Sequence, residues 1–240
     1  GFDGRCVDAR TGRRYHALAR QLGGKINHQL DLVGEVWPQR PPLSAQPAWL
    51  LSEEYAGVSR REKLREIRGA MTAEGADVLL LTSLEDIAWL LNLRGTDVHC
   101  NPVFVAYVLI STSDVTLYIN NAKLTPYVEA YLAQQHVRVA PYEKVGEGLQ
   151  KYFEYNILLD PVETSYTLYN IIATHDGKAY ACIAAGGFHN AHAGAQQATV
   201  FRIGNHGCAN AAFNGIGRIA AFNLGQHSGL GAHHAVEPHQ

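Results

Sequence analysis

Residues 82–107, TSLEDIAWLLNLRGTDVHCNPVFVAY, constrain the fold more than any other stretch, because they join a short helix, a polar loop and a strand with little slack. Leu84, Ile87, Ala88, Leu90 and Leu91 recur at helical spacing and predict a helix with one apolar face. Ser83 stands before it as an N-cap, and Asp86 lies in the first turn, where an acid suits the exposed amides and the helix dipole. The pattern breaks at Arg94-Gly95. Pro102 holds Asn101 extended, and Val103, Phe104, Val105, Tyr107, Val108, Leu109 and Ile110 read as a strand buried on both faces. Between them the loop carries Arg94, Asp97, His99 and Asn101, with Asn92 at its head, which is more hydrogen-bonding capacity than a plain connection needs. Two readings stand: a surface loop tied down by its own side chains, or a loop facing a neighbouring active site.

The flanks extend an alternation of strand and helix. Residues 2–7 read as the end of a strand and a turn at Asp3-Gly4, and from Thr11 a helix follows on whose face Tyr15, Leu18, Ala19 and Leu22 lie together, closed by Gly23-Gly24. His16 reads as a solvated helix residue. Residues 25–30 can form a strand, Asp31 caps a short helix, and WPQRPPLSAQP is an extended connector. Ser59 and Glu62 form a capping box for the helix 59–75, in which Leu64, Ile67 and Met71 face inward and Lys63 and Arg65 are expected on a solvated face. ADVLLLTS is a buried strand; DVTLYIN is the hairpin partner of 103–112. A helix around 123–136, a strand VRVAPY, a helix 143–155, a strand NILLDP and a helix capped by Thr164 complete an α/β pattern with a mixed β-sheet covered by helices.

Composition excludes several classes. A formal net charge of −2 gives no electrostatic case for nucleic acid or an anionic membrane as partner. No apolar run is long enough to span a bilayer, and the first residues lack the apolar core of a signal peptide. Cys6, Cys100, Cys182 and Cys208 show no framework spacing, which favours free thiols and a cytoplasmic protein. Cys100, beside His99 in an expected extended segment, reads as a thiol buried at the strand's start and not as a nucleophile paired with its neighbour.

SLEDIAWLLNLRGTDVHCNPVF resembles a signature of the three-domain Xaa-Pro aminopeptidases (aminopeptidase P, in the creatinase/prolidase family), and DLVGEVWPQRPPLS…YAGVSRREKLREIRGAM resembles the opening of their second, non-catalytic domain. The resemblance implies a creatinase/prolidase N-terminal-like fold over residues 1–172 and a role in walling the substrate cleft, with Arg94, Asp97, His99 and Asn101 as the cleft loop. Asp3-Gly4-Arg5 echoes an Asp-Gly-Arg-Tyr motif of the family's first domain, but its position and Cys6 in place of tyrosine argue against a substrate-binding role for Arg5. The intact family removes the residue preceding proline, using two divalent metals, manganese for preference, and its partners are proline-containing peptides and further copies of itself in a homo-oligomer.

Residues 173–240 change character: they hold eight of the 12 histidines and 11 of the 23 glycines, but Asp176, Lys178, Arg202, Arg218 and Glu237 are their only charged side chains. So few large apolar groups offset chain entropy poorly. This segment is expected to be an irregular tail, loosely ordered or out of frame. One Asp and one Glu cannot assemble the two Asp, one His and two Glu of the family's metal centre. His227, His233, His234 and His239 match no zinc pattern. No metal site and no catalytic residue is therefore expected in this chain, which reads as an inactive fragment. The rival reading is a catalytically dead, peptide-binding member of the pita-bread superfamily.

Overall fold

The computed structural model describes residues 1–173, 182–184 and 201–203. The expected loose order of the stretch 173–240 lies outside the described residues, which include only Ala173 and two short strands of it. Helix α1 (Ala9–Gln21) follows an N-cap at Asp8, whose carboxylate accepts from the Thr11 amide. Helix α2 (Leu32–Val36) is capped by Asp31, as its sequence predicts. After the proline-rich connector come strand β1 (Trp49–Leu50), the single turn α3 (Glu53–Ala56) and helix α4 (Arg60–Ala73). The Ser59–Glu62 capping box is formed in both directions.

Strand β2 (Val78–Leu81), helix α5 (Leu84–Leu91) and strand β3 (Leu93–Arg94) form the centre, followed by strands β4 (Ala106–Ser111) and β5 (Val115–Ile119). Helix α6 (Pro126–Gln134), strand β6 (Val137–Pro141), helix α7 (Val145–Gln150), strand β7 (Ile157–Leu159) and helix α8 (Tyr166–Ala173) continue the alternation. Strands β8 (Cys182–Ala184) and β9 (Phe201–Ile203) close it. The sheet order is β6-β5-β4-β2-β7-β8-β9, with a separate two-stranded β1-β3 pair. β4 pairs antiparallel with β5 and β2, while β5–β6, β2–β7 and β7–β8 are parallel. This is the mixed sheet that the alternating pattern predicts.

The sheet separates two apolar layers. One joins Leu64, Ile67 and Met71 of α4 and Ile87, Leu90 and Leu91 of α5 to Leu79, Leu81, Val108 and Ile110. The other sets α7 and α8 against Val78, Leu80, Leu109, Ile157 and Leu159. Strand residues alternate between the two layers, so β2 and β4 are buried on both faces, as their continuous apolar sequence requires.

Several local expectations differ from the structure. Residues 25–30 form no strand, only a single bridge from Gln29 to Asp3. Val103 and Phe104 are buried but precede the strand, because the Val103 amide donates to the Asn101 carbonyl and not into the ladder. Ser165, not Thr164, caps α8: its hydroxyl accepts from the Leu168 amide, while Thr164 is turned inward towards Thr82. Lys63, expected on a solvated face, is fully buried; its stem packs inward and its amine reaches the end of α5.

Gly95 has a specific reason to be glycine. A Cβ there would stand 2.7 Å from the Cβ of Phe104 and 3.0 Å from the Val103 carbonyl oxygen. Gly95→Ala should therefore destabilise by about 1–3 kcal/mol through overpacking, read as a lower urea midpoint at unchanged m-value.

Candidate functional site

Everything in the loop hangs from the C-terminal end of α5. Asn92 takes the left-handed conformation (φ 52) that ends the helix, which asparagine adopts more readily than most residues. The last carbonyls of a helix lack intrahelical donors and carry the negative end of its dipole. Here side chains from elsewhere supply the donors. Lys63 Nζ donates to the Trp89 carbonyl at 2.9 Å and to Asn92 Oδ1 at 2.6 Å, and Tyr131 donates to the Leu91 carbonyl at 3.3 Å. Arg94 Nη1 donates to the Ala88 and Leu93 carbonyls, each at 2.8 Å. The Lys63 ammonium also lies over the Trp89 ring, 4.8 Å from its centroid, an electrostatically favourable placement.

Asp97 forms the second anchor. Its side chain is almost fully buried and accepts from Lys123 Nζ at 2.6 Å and from the Val105 amide at 2.7 Å. Burial alone would raise the carboxyl's pKa. The hydrogen bonds from Lys123, the Val105 amide and Ser44, with the charge of Lys123, outweigh it and hold the group below its ordinary value. Lys123 belongs to a 3-10 turn, Asn121–Lys123, whose last carbonyl accepts from the Ala48 amide. One ion pair thus fixes the loop, the connector before β1 and the turn after β5.

Between these anchors the chain doubles back. The Asp97 amide donates to Val103, and the Asn101 amide donates to Val98 at 3.3 Å, closing a turn in which Cys100 has φ 59. This corrects the expected extended segment and buried thiol: the left-handed turn carries Cys100 outward, and both His99 and Cys100 are exposed at its tip. Asn101 Nδ2 donates to Glu85 Oε1 at 2.7 Å, tying the turn to the first turn of α5. The four candidate residues therefore divide by role. Arg94 and Asp97 are committed to internal bonds, His99 is presented at the tip, and Asn101 buttresses the tip. Sequence pattern alone missed Lys63 and Lys123, since an isolated lysine in a polar run carries no sign of burial.

Among the described residues no three His, Cys, Asp or Glu side chains stand together as a ligand group, so they do not fit the two divalent ions of the intact family.

The family model of the creatinase/prolidase N-terminal domain matches residues 39–185. The chain belongs to this family. The matched span takes in the whole anchored loop and ends just beyond β8. Similar proteins include the probable Xaa-Pro aminopeptidase P of Sordaria macrospora, 40% identical over 136 residues, covering 52% of this chain and 22% of the relative. Aminopeptidase P1 of Arabidopsis thaliana is 34% identical over 146 residues, covering 60% of this chain and 23% of the relative. Among solved structures, the X-prolyl aminopeptidase of Caenorhabditis elegans, described as a cytosolic enzyme with a di-nuclear active site, superposes with a TM-score of 0.68 at 26% identity. That superposition covers 72% of this chain and 29% of the enzyme. The creatinase-domain chain thus matches less than a third of the length of these relatives.

Two outcomes follow from the anchors. Removing one partner of a buried pair leaves the other charge uncompensated, so Asp97→Asn should cost about 3–5 kcal/mol in urea unfolding. Lys63 is the pH-sensitive member: burial first, and the charge of Arg94 second, push its pKa down to about 8 from an ordinary value of 10.5. Between those values the unfolded chain binds more protons than the folded one, so Lys63 makes stability rise with pH, by on the order of 2 kcal/mol from pH 7 to 10. Below about pH 8 the ammonium is charged in both states and this gain is absent. The stability difference between the native chain and Lys63→Met, followed across that range, should carry this slope.

Proposed function

We propose that the chain supplies the non-catalytic wall of the substrate cleft in a metal-dependent Xaa-Pro aminopeptidase, which releases the residue preceding proline from a peptide. What carries this reading is the fold agreement with the C. elegans enzyme, together with relatives named as Xaa-Pro aminopeptidases across the matched region. In this reading residues 1–172 are the body of the wall domain and residues 173–240 an atypical tail whose strands β8 and β9 extend the edge of its sheet. The two divalent metals, manganese for preference, are held by ligands outside the described residues, and the chain alone is inactive. The protein works in the cytoplasm and can assemble as a homo-oligomer.

The loop geometry gives the wall a physical basis. Arg94 and Asp97 hold the backbone so that His99 projects from a braced turn, able to donate or accept a hydrogen bond at a peptide backbone. Rigid support of this kind reduces the ordering cost of binding. An exposed apolar stripe supports the idea that the chain acts within a larger assembly. Tyr15 and Leu18 of α1 and its C-cap Leu22 are 46%, 45% and 83% exposed, although they share the face that the sequence predicts.

The test uses a full-length relative carrying residues 39–185 of this chain. His99→Ala in that protein should raise KM for an Xaa-Pro peptide about three- to tenfold with less effect on kcat, the pattern of lost ground-state binding. Unchanged kinetics would return the loop to a purely structural role. The purified chain with manganese should release no N-terminal residue, and measurable release would overturn the inactive reading. As a check on the stripe, Leu22→Glu should reduce dye binding to exposed apolar surface and lower self-association, measured by sedimentation.

A further inference from the structure

Helix α1 is basic to an unusual degree for a chain of net charge −2. Between Ala9 and Gln21 it carries Arg10, Arg13, Arg14 and Arg20 and no acid at all. These arginines are exposed, and among the described residues none of them forms an ion pair with a carboxylate. Asp8, the nearest acid in sequence, is engaged as the helix cap.

The basic face is turned towards α8, not away from the molecule. With α8 it lines an open groove of about 990 Å³ that includes all four arginines, Tyr166 and Tyr169. Backbone bonds hold the two walls together at one end: Ala9 donates to the Thr164 carbonyl and Arg10 to the Pro161 carbonyl. Arg13 lies 5.4 Å from the centroid of Tyr169, so one arginine is already used to line the floor. A Cβ on Gly12 would fall 2.3 Å from the Tyr166 ring, and that close approach sets the helix low enough to make the groove.

Its shape and chemistry restrict the occupant. From Arg10 to Arg20 the helix rises about 15 Å, which an extended peptide of about five residues spans. Guanidinium groups favour carboxylates and phosphates through paired donors. Nucleic-acid grooves add exposed aromatic faces for base stacking, but Tyr166 and Tyr169 are buried, at 4% and 6% exposure, and offer none. We propose that the α1–α8 groove is a docking surface for an acidic polypeptide segment of a partner protein, held by Arg10, Arg14 and Arg20. It lies on the opposite side of the sheet from the layer containing α4 and α5, and its use is independent of any role in peptide cleavage.

The full chain is titrated with a labelled oligo-glutamate peptide, with oligo-glutamine, inorganic phosphate and single-stranded oligothymidylate as alternatives. Oligo-glutamate should bind best and weaken as salt is raised. Arg14→Ser/Arg20→Ser should lower its affinity about fivefold or more, with helical content and melting temperature unchanged. Lys151→Ser, at an exposed lysine that does not line the groove, should leave it unchanged. If the double variant melts early, Arg14→Gln alone serves, with a loss of about twofold. Equal binding of oligo-glutamine, native affinity in the arginine variants, or tighter binding of phosphate or oligothymidylate would each overturn the proposal.

Discussion

The C-terminal end of α5 is the point on which the rest of the structure depends. A helix end buried in a core is costly unless its carbonyls find donors, and here the donors come from three separate elements. Lys63 arrives from α4, Tyr131 from α6 and Arg94 from the strand that leaves the helix. Satisfying α5 therefore fixes the positions of its neighbours. The charges are tolerated because they meet the negative end of the helix dipole as well as specific oxygens. Asn92 completes the junction: its Oδ1 accepts from Lys63, its Nδ2 donates to Val58, and its carbonyl accepts from Leu51.

The buried Asp97–Lys123 pair does for the loop what this junction does for the core. It converts eleven residues between two apolar elements into a braced turn. Both devices put charge in the interior, where an unpaired group is expensive, so each is sensitive to the loss of a single partner. That economy explains how a loop with so many polar side chains presents few of them outward. Most of its polar capacity is spent on holding its own shape, which leaves His99 and Cys100 at the tip.

The same distinction separates what was readable in the sequence from what was not. Ser83, Asp31 and the Ser59–Glu62 box cap helices through contacts three residues away, and such short-range bonds depend only on local order. The doubly buried strands β2 and β4 were readable because uninterrupted apolar runs have few alternatives. Thr164 and Ser165 differ by one residue, and only the inward pull of Thr82 on Thr164 decides which caps α8. Cys100 was misread because the Pro102 constraint acts on Asn101 alone, while the turn is set by bonds from Asp97 to Val103 and from Asn101 to Val98.

By itself the sequence determined the α/β alternation, the antiparallel hairpin, the caps at Asp31, Ser59 and Ser83 and the family, all of which rest on local pattern or contiguous motif. Tertiary structure alone decided that Lys63 and Lys123 are interior charges, that Arg94 and Asp97 brace the loop, and that the basic face of α1 lines a groove. The reason is range. Capping and periodicity act over three or four residues, whereas Lys63 meets Asn92 across 29 positions and Lys123 meets Asp97 across 26. A lysine in a polar run is spelled the same way in either case, and only the packed neighbour shows which role it takes.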